Sequence, residues 1–426
     1  MNIFATSLEQ AQILDAEDVL RQYRNEFNFP GEKDGRSCIY LCGNSLGLQP
    51  KKAAERVRES LDDWAKYGVE GHFRGAHPWL SYSREAIDGF AALTGANHDE
   101  VVAMNTLTVN LHVLMASFYR PIDSRRKIII ESTAFPSDYF AVQSQIRLHG
   151  LDPDACLLEW SPREDELLHL EDLRALVDEH RGEIALMLLP GVQYYTGQVL
   201  DMQALCQTAR DAGAKIGLDL AHAIGNVELS LHDWAPDFAA WCTYKYLNSG
   251  PGAIAGAFVH EKHCNDEAAD HLMGWWGHEE ASRFKMANQF VAAHGAERWQ
   301  LSNPPILSLA PVVASLELFS EIGMAALTCK SRKQIEFLTA LLETHFAGRI
   351  KSITPAAASG CQLSLVVSDQ NLHARSVFEA LEKRNVIGDW REPNVIRIAP
   401  APLYNSFRDI HEFVVRLADS IAPGKR

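Results

Sequence analysis

The chain has 426 residues, 47% of them hydrophobic, which is enough for a large core and, at about 150 residues per unit, for two or three folded units. The 40 lysines and arginines against 55 acids leave a net charge of −15. With no basic run and no aromatic-interleaved lysine stripe, this argues against nucleic acid or an anionic membrane surface as a main ligand.

In chain order, the first residues carry Glu9, Asp15, Glu17 and Asp18, where a secretory signal needs a basic and then an apolar stretch. Residues 1–40 are expected to be helical and to pack on a smaller C-terminal unit. KKAAERVRESLDDWAKYG predicts a helix just after Pro50. KIIIE at 127–131 predicts a strand, followed by the turn FPSD and a helix from about Tyr139. EIALMLLPG reads as a strand, YYTGQ as a turn and DMQALCQTARDAG as a helix leading into a short apolar strand that closes at Asp219. Such alternation predicts an α/β fold with a mostly parallel sheet and crossover helices, placed in a large unit spanning 41–305. The pattern changes near SNPPIL (302–307), and residues 306–426 are expected to form a small α+β unit from a long helical stretch, strands at CQLSLVV and VIRIAP, and the helix SVFEALEKRN. The longest apolar run, IALMLLPGV, is interrupted by Pro190 and falls short of the ~20 residues of a membrane span. Eight scattered cysteines without CxxC spacing suggest reduced thiols, a cytoplasmic setting and no metal site.

Two positions suggest chemistry. Lys245 lies in WCTYKYLNSGPG and Asp219 in KIGLDLAHAIGN, 26 positions earlier (245 − 219), which places a lysine and an acid at the ends of adjacent strands. Alone, such a lysine is usually solvated and such an aspartate usually caps a helix. Together, and with His222 three residues after the acid, they suit pyridoxal phosphate, which needs a lysine for its Schiff base and an acid to hold its ring nitrogen protonated. In MNTLTVNLHVLMASF, Thr106 or Thr108 opens a helix whose first amides can face a phosphate, although simple capping is an equal reading. Phe135 and Asp138 in FPSD offer a ring for the pyridine face and a polar anchor at its edge.

Three motifs point elsewhere. GNSLG at 43–47 fits the G-x-S-x-G nucleophile elbow with Ser45 as nucleophile, but it arrives before the strands such an elbow follows. GPGAIA at 250–255 matches a loose dinucleotide pattern without a convincing helix after it. HEKHC at 260–264 lacks the i, i+4 histidine spacing of a zinc helix, and a solvated strand end is the simpler reading.

Taken together, GNSLGLQP, NTLTVNLH, FPSD, GVQYYTGQ, DLAHAIGNVEL, WCTYKYLN, GWWGH, SNPPI and RIAPAPLYNSF resemble the kynureninase family of fold-type I pyridoxal-phosphate enzymes over nearly the whole chain. The resemblance implies a transferase-like fold with a seven-stranded-type sheet, and a homodimer with shared active sites. It implies hydrolysis of kynurenine or 3-hydroxykynurenine to alanine and an anthranilate, a step of tryptophan degradation or NAD synthesis. By the same resemblance Lys245 and Tyr244 are catalytic. Leu107, Thr108 and Tyr244 hold the phosphate region, Phe135 the ring face and Asp219 the ring nitrogen, with Asp138 and His222 at the side. Trp275 and Asn303 reach in from a second subunit, Arg397 binds the α-carboxylate, and His72, Ser302 and Asn303 are expected to favour the 3-hydroxylated substrate. A related aminotransferase or cysteine desulfurase is the nearest alternative.

Overall fold

Strands that are apolar along their whole length are stable only when helices cover both faces of their sheet. The computed structural model, which describes residues 3–264 and 270–422, is built this way. Seven strands form the main sheet: β1 (Val101–Ala103), β2 (Lys127–Glu131), β3 (Leu157–Trp160), β4 (Ile184–Pro190), β5 (Lys215–Asp219), β6 (Phe238–Trp241) and β7 (Gly256–Val259). Their order is β1-β7-β6-β5-β4-β2-β3. Only β7 runs against its neighbours, so the sheet is mostly parallel, as the alternating pattern predicts. Successive side chains point to opposite faces: Ile129 and Met187 enter one core, while Ile128, Ile130 and Leu186 enter the other. Each such side chain contributes about 1.5–3 kcal/mol by leaving water.

Because β2, β4, β5 and β6 are parallel, Glu131, Pro190 and Asp219 come out at one edge, where Pro190 pairs with Asp219 and Asp219 with Ala240. The carboxyl ends of parallel strands are where open α/β sheets bind ligands.

Helices Ile306–Ile322 and Met324–Phe346 meet at 81° around Gly323, whose φ of +79° suits glycine. The first helix buries Leu309, Val313, Leu316 and Phe319 in the main sheet's core. The second sends Ile335, Leu338 and Leu342 into a separate core with strands β8 (Ile350–Ser352), β9 (Leu363–Val367), β10 (Asp389–Arg391) and β11 (Val395–Ile398). Packing changes partner along the second helix, between Leu327, which still belongs to the first core, and Ile335, later than the SNPPIL break suggests, while residues 306–322 are apolar enough to serve the first core. The four strands form an antiparallel sheet in the order β8-β9-β11-β10.

The N-terminal helix Ile3–Glu17 docks on the last helix, Phe407–Ile421, where the Asp15 carboxylate accepts from the amides of Phe407 (2.7 Å) and Arg408 (3.1 Å). A buried ion pair, Asp18 to Lys330 at 2.7 Å, reinforces the contact. The helical expectation for this segment holds only as far as Glu26. Phe27–Asn28 pairs with Gln49–Pro50, and Ile39–Tyr40 runs parallel to Val386–Ile387. Among the described residues no single helix is long and apolar enough to cross a membrane, and the sharply bent pair at Gly323 is built into the two cores.

Candidate active site

Lys245 sits in the turn that follows β6, and the chain around it is held by contacts only small residues allow. Gly47 donates its amide to the Tyr244 carbonyl at 2.8 Å, and a Cβ on Gly47 would collide with the Lys245 carbonyl and the Asn248 side chain. GNSLG is thus a loop clamped onto the lysine turn. Ser45 donates its amide to the Cys42 carbonyl at 3.0 Å and its side chain bonds to the Cys42 thiol.

Lys245 Nζ lies 3.0 Å from His222 Nε2 and 5.9 Å from the centroid of the Phe135 ring. Burial, then the charges of Lys245, Arg397 and Arg391, push the His222 imidazole well below its usual range, so it is neutral. Its Nδ1 is buried without a partner. Asp219, at the end of β5, accepts the Ala221 amide at 2.6 Å, which fixes its carboxylate at the strand end, with the Asp138 carboxyl hydrogen-bonded beside it. These residues line a cavity of 150 Å³ together with Thr106, Leu107, Thr108, Glu131, Ser137, Asp138, Tyr194 and Tyr244.

Two more acids join Asp219. Burial first, then Asp219 itself, raises Asp138 well above the usual carboxylate range. Glu131, 2% exposed at the end of β2, is pushed up to about 8 by burial and by Asp219, and its Oε2 has no partner. Like charges in a buried site disfavour one another, so burial and the Asp219 charge favour the protonated forms of Glu131 and Asp138. Tyr244 is also raised, by burial and by Cys242, and keeps its proton.

The opposite side of the cavity suits an anion. Helix Leu107–Phe118 begins after Thr106 without any side-chain cap, so its first amides lack the partner that a capping role would have supplied. Thr108 Oγ1 and Ser137 Oγ, 2.6 Å apart, stand beside them. Uncapped amides, two hydroxyls, a lysine and a buried acid fit the phosphate, aldehyde and ring nitrogen of pyridoxal phosphate.

Arg397, on β11 and 1% exposed, donates to the Tyr194 carbonyl at 2.5 Å and to Asp389. Tyr194 packs edge-on against Phe135, with ring centroids 5.4 Å apart, and so links Arg397 to the cavity wall. Glu131, Ser137, Tyr194, Asp389 and Arg391 escaped the sequence reading. The GVQYYTGQ segment was a signal for Tyr194, whereas a buried strand-end acid such as Glu131 reads as a cap or a turn.

His72, Trp275, Ser302 and Asn303 do not line this cavity. Ser302 bonds to Asn303 at 3.2 Å, Trp275 is 47% exposed, and His72 is exposed with its ring against Trp79. HEKHC differs from the expected solvated strand end: His260 is buried, its Nε2 donates to the His232 carbonyl (3.2 Å) and its Nδ1 accepts from the Lys262 amide (3.1 Å). Glu100 and His232 lie close by, but with both ring nitrogens of His260 bonded to backbone the trio is a structural knot. GPGAIA enters β7 as a turn, with no helix after it.

Relatives resolve the choice among enzymes that share this lysine and acid. The chain is 53% identical to the kynureninase of Stenotrophomonas maltophilia, with 96% of this chain and 97% of that one covered. It is 52% identical to the kynureninase of Xanthomonas campestris pv. campestris over 96% of both, and 49% identical to that of Myxococcus xanthus over 97% of both. The chain belongs to the kynureninase family. Residues 327–417 match the family model for the kynureninase C-terminal domain, so β8 to β11 and the helices around them carry the family's own signature. Among solved structures, the cysteine desulfurase of Thermococcus onnurineus superposes with a TM-score of 0.74 at 19% identity, covering 90% of this chain and 94% of that one. The C-DES protein with glycine covalently linked to its pyridoxal-phosphate cofactor gives 0.76 at 18%, covering 93% and 99%. Likeness at that level establishes the shared fold, fold-type I, and not a desulfurase. Burial raises the thiol of Cys42, which also feels the charge of Arg397, and so keeps it protonated.

Proposed function

We propose that this site hydrolyses the β,γ carbon–carbon bond of L-kynurenine and 3-hydroxy-L-kynurenine, giving alanine and anthranilate or 3-hydroxyanthranilate. The observation that carries the reading is the convergence of Lys245, neutral His222 and Asp219 beneath an uncapped helix start, with Arg397 held nearby through Tyr194. Bound pyridoxal phosphate supplies the electron sink for the carbanion.

The protein's side chains do the rest. Lys245 Nζ takes the substrate α-proton, and His222 Nε2, accepting from that nitrogen, keeps it aimed. Asp219 binds the ring nitrogen, with Asp138 beside it, and Phe135 covers the ring face. Leu107, Thr108 and Tyr244 hold the phosphate region, and the Tyr244 hydroxyl, protonated at neutral pH, shuttles a proton to the leaving fragment. Arg397 binds the α-carboxylate, and a planar guanidinium both orients that group and meets its charge.

Trp275 and Asn303 act from a second copy in a homodimer. Their position away from this chain's own cavity supports that reading, as does the exposure of large apolar side chains at Leu61, Trp64, Phe73, Trp275 and Phe284. Ser302 and Asn303 with His72 favour the 3-hydroxyl group. Free cysteines throughout the described residues support a cytoplasmic setting.

The test is a steady-state assay of cofactor-loaded protein on both substrates, following the anthranilate product, with Lys245→Ala alongside. Turnover by the native chain and loss of both turnover and visible cofactor absorbance in the variant are expected. An intact cofactor spectrum with no turnover of either substrate overturns the reaction. Equal or reversed efficiencies on the two substrates overturn the 3-hydroxyl preference.

A further inference from the structure

Strand register sets Asp389 on β10 directly opposite Arg397 on β11, so their side chains share one face of the small sheet. Asp389 Oδ2 accepts from Arg397 Nη2, and the same oxygen accepts from Arg391 Nη2 at 2.9 Å. Both guanidinium groups stand near the Tyr194 ring, at 6.0 Å for Arg391 and 5.8 Å for Arg397. Each keeps a buried Nε with no partner. Both also bear on His222, so their charges are felt beside Lys245 as well as at the small sheet.

An isolated Arg397–Asp389 pair is electrically neutral. It offers an incoming carboxylate hydrogen bonds but little net attraction to offset the loss of water. Arg391 changes that balance, because two guanidinium groups on one carboxylate leave a single positive charge, matched to one carboxylate. We propose that Arg391, Asp389 and Arg397 form a clamp for the substrate α-carboxylate, in which Asp389 fixes the Arg397 plane and Arg391 restores the charge that Asp389 removes. This rests on the reading of Arg397 as the carboxylate ligand. Arg391 and Asp389 are positioning residues, acting through Arg397. A bland surface ion pair within β10 would contribute little and would leave substrate affinity untouched.

The experiment titrates cofactor-loaded protein with L-alanine, reading the change in visible absorbance, and measures kcat and KM for L-kynurenine. The variants are Arg391→Met, Arg391→Met combined with Asp389→Asn, and Arg397→Met, each first checked for a native circular dichroism spectrum. Arg391→Met should weaken alanine binding and raise KM about tenfold or more, the scale of one charge-assisted hydrogen bond, while kcat changes little. Adding Asp389→Asn returns the cluster to one positive charge and should recover most of that loss. L-Alanine methyl ester, which lacks the carboxylate, should bind the native and Arg391→Met proteins equally. Unchanged alanine affinity in Arg391→Met, a loss that Asp389→Asn does not rescue, or an equal loss for the ester overturns the clamp. Unchanged affinity in Arg397→Met instead overturns the reading of Arg397 itself, which keeps the two failures apart.

Discussion

Lys245 Nζ and His222 Nε2 lie 3.0 Å apart, with the imidazole neutral and its second nitrogen buried without a partner. An acceptor held so close orients the amine without competing for its proton. His222→Phe removes the acceptor and keeps a ring of similar size. A charge-assisted hydrogen bond contributes about 1.5–3 kcal/mol, so kcat/KM should fall roughly 10- to 100-fold while cofactor absorbance persists. Steady-state kinetics beside a spectrum of the purified variant check this. Undiminished kcat/KM would mean that the contact does not aim the amine.

Glu131 predicts a pH dependence that needs no substrate. Its carboxyl, normally near 4.5, is pushed up to about 8 by burial and then by Asp219, with Gln193 acting the other way and Asp138 packed nearby. Between those two values the folded chain holds a proton that the unfolded chain has released. The contribution of this group is therefore fully present below about 4.5 and is lost as pH rises through about 8. Glutamine mimics the protonated acid at every pH. Glu131→Gln should therefore match the native cofactor-free protein in Tm near pH 5 and exceed it near pH 8, where its stability is greater by a few kcal/mol at most. A Tm difference independent of pH would remove the buried proton from the account.

Thr108 and Ser137 share a 2.6 Å hydrogen bond beside the uncapped helix. Thr108→Val keeps the shape, removes the hydroxyl and leaves Ser137 without that partner. The dissociation constant of pyridoxal phosphate should rise about tenfold, the scale of one lost hydrogen bond to a charged group, as read by fluorescence titration of the cofactor-free protein. Unchanged affinity would place the phosphate elsewhere.

The same helix start shows where the sequence was legible. Strand KIIIE, the helix after Pro50, the strand ending at Asp219 and the mostly parallel sheet all follow from local periodicity, because their burial partners lie on both sides of one continuous pattern. The helix expected from Tyr139 begins at Pro136, where proline at the first helical position is itself a start signal. Residues 27–40 were read as helical and are partly extended, since their strand partners are supplied by Gln49–Pro50 and Val386–Ile387, and no local pattern announces a partner so distant in sequence. Asp389 and Arg391 were missed for a related reason. Only cross-strand register turns two ordinary charged residues into neighbours of Arg397.

Gly47 gives the most direct test of how the lysine turn is held. Its amide donates to the Tyr244 carbonyl at 2.8 Å, and the space a Cβ needs is taken by backbone at Lys245 and by the Asn248 side chain. Backbone cannot rotate aside as a flexible side chain can, so Gly47→Ala must move the turn. Overpacking of this kind costs about 1–3 kcal/mol, and here the displacement falls on Lys245, the residue proposed to carry the cofactor. The variant should therefore lose more catalytic activity than stability. Its Tm should drop by a few degrees, while kcat falls about 10²-fold, the scale at which a 1 Å misplacement of a catalytic group is felt. Thermal unfolding and kcat measured on one preparation decide the matter. A large Tm loss with native kcat in the surviving protein would show that GNSLG supports the fold alone and does not set the position of Lys245.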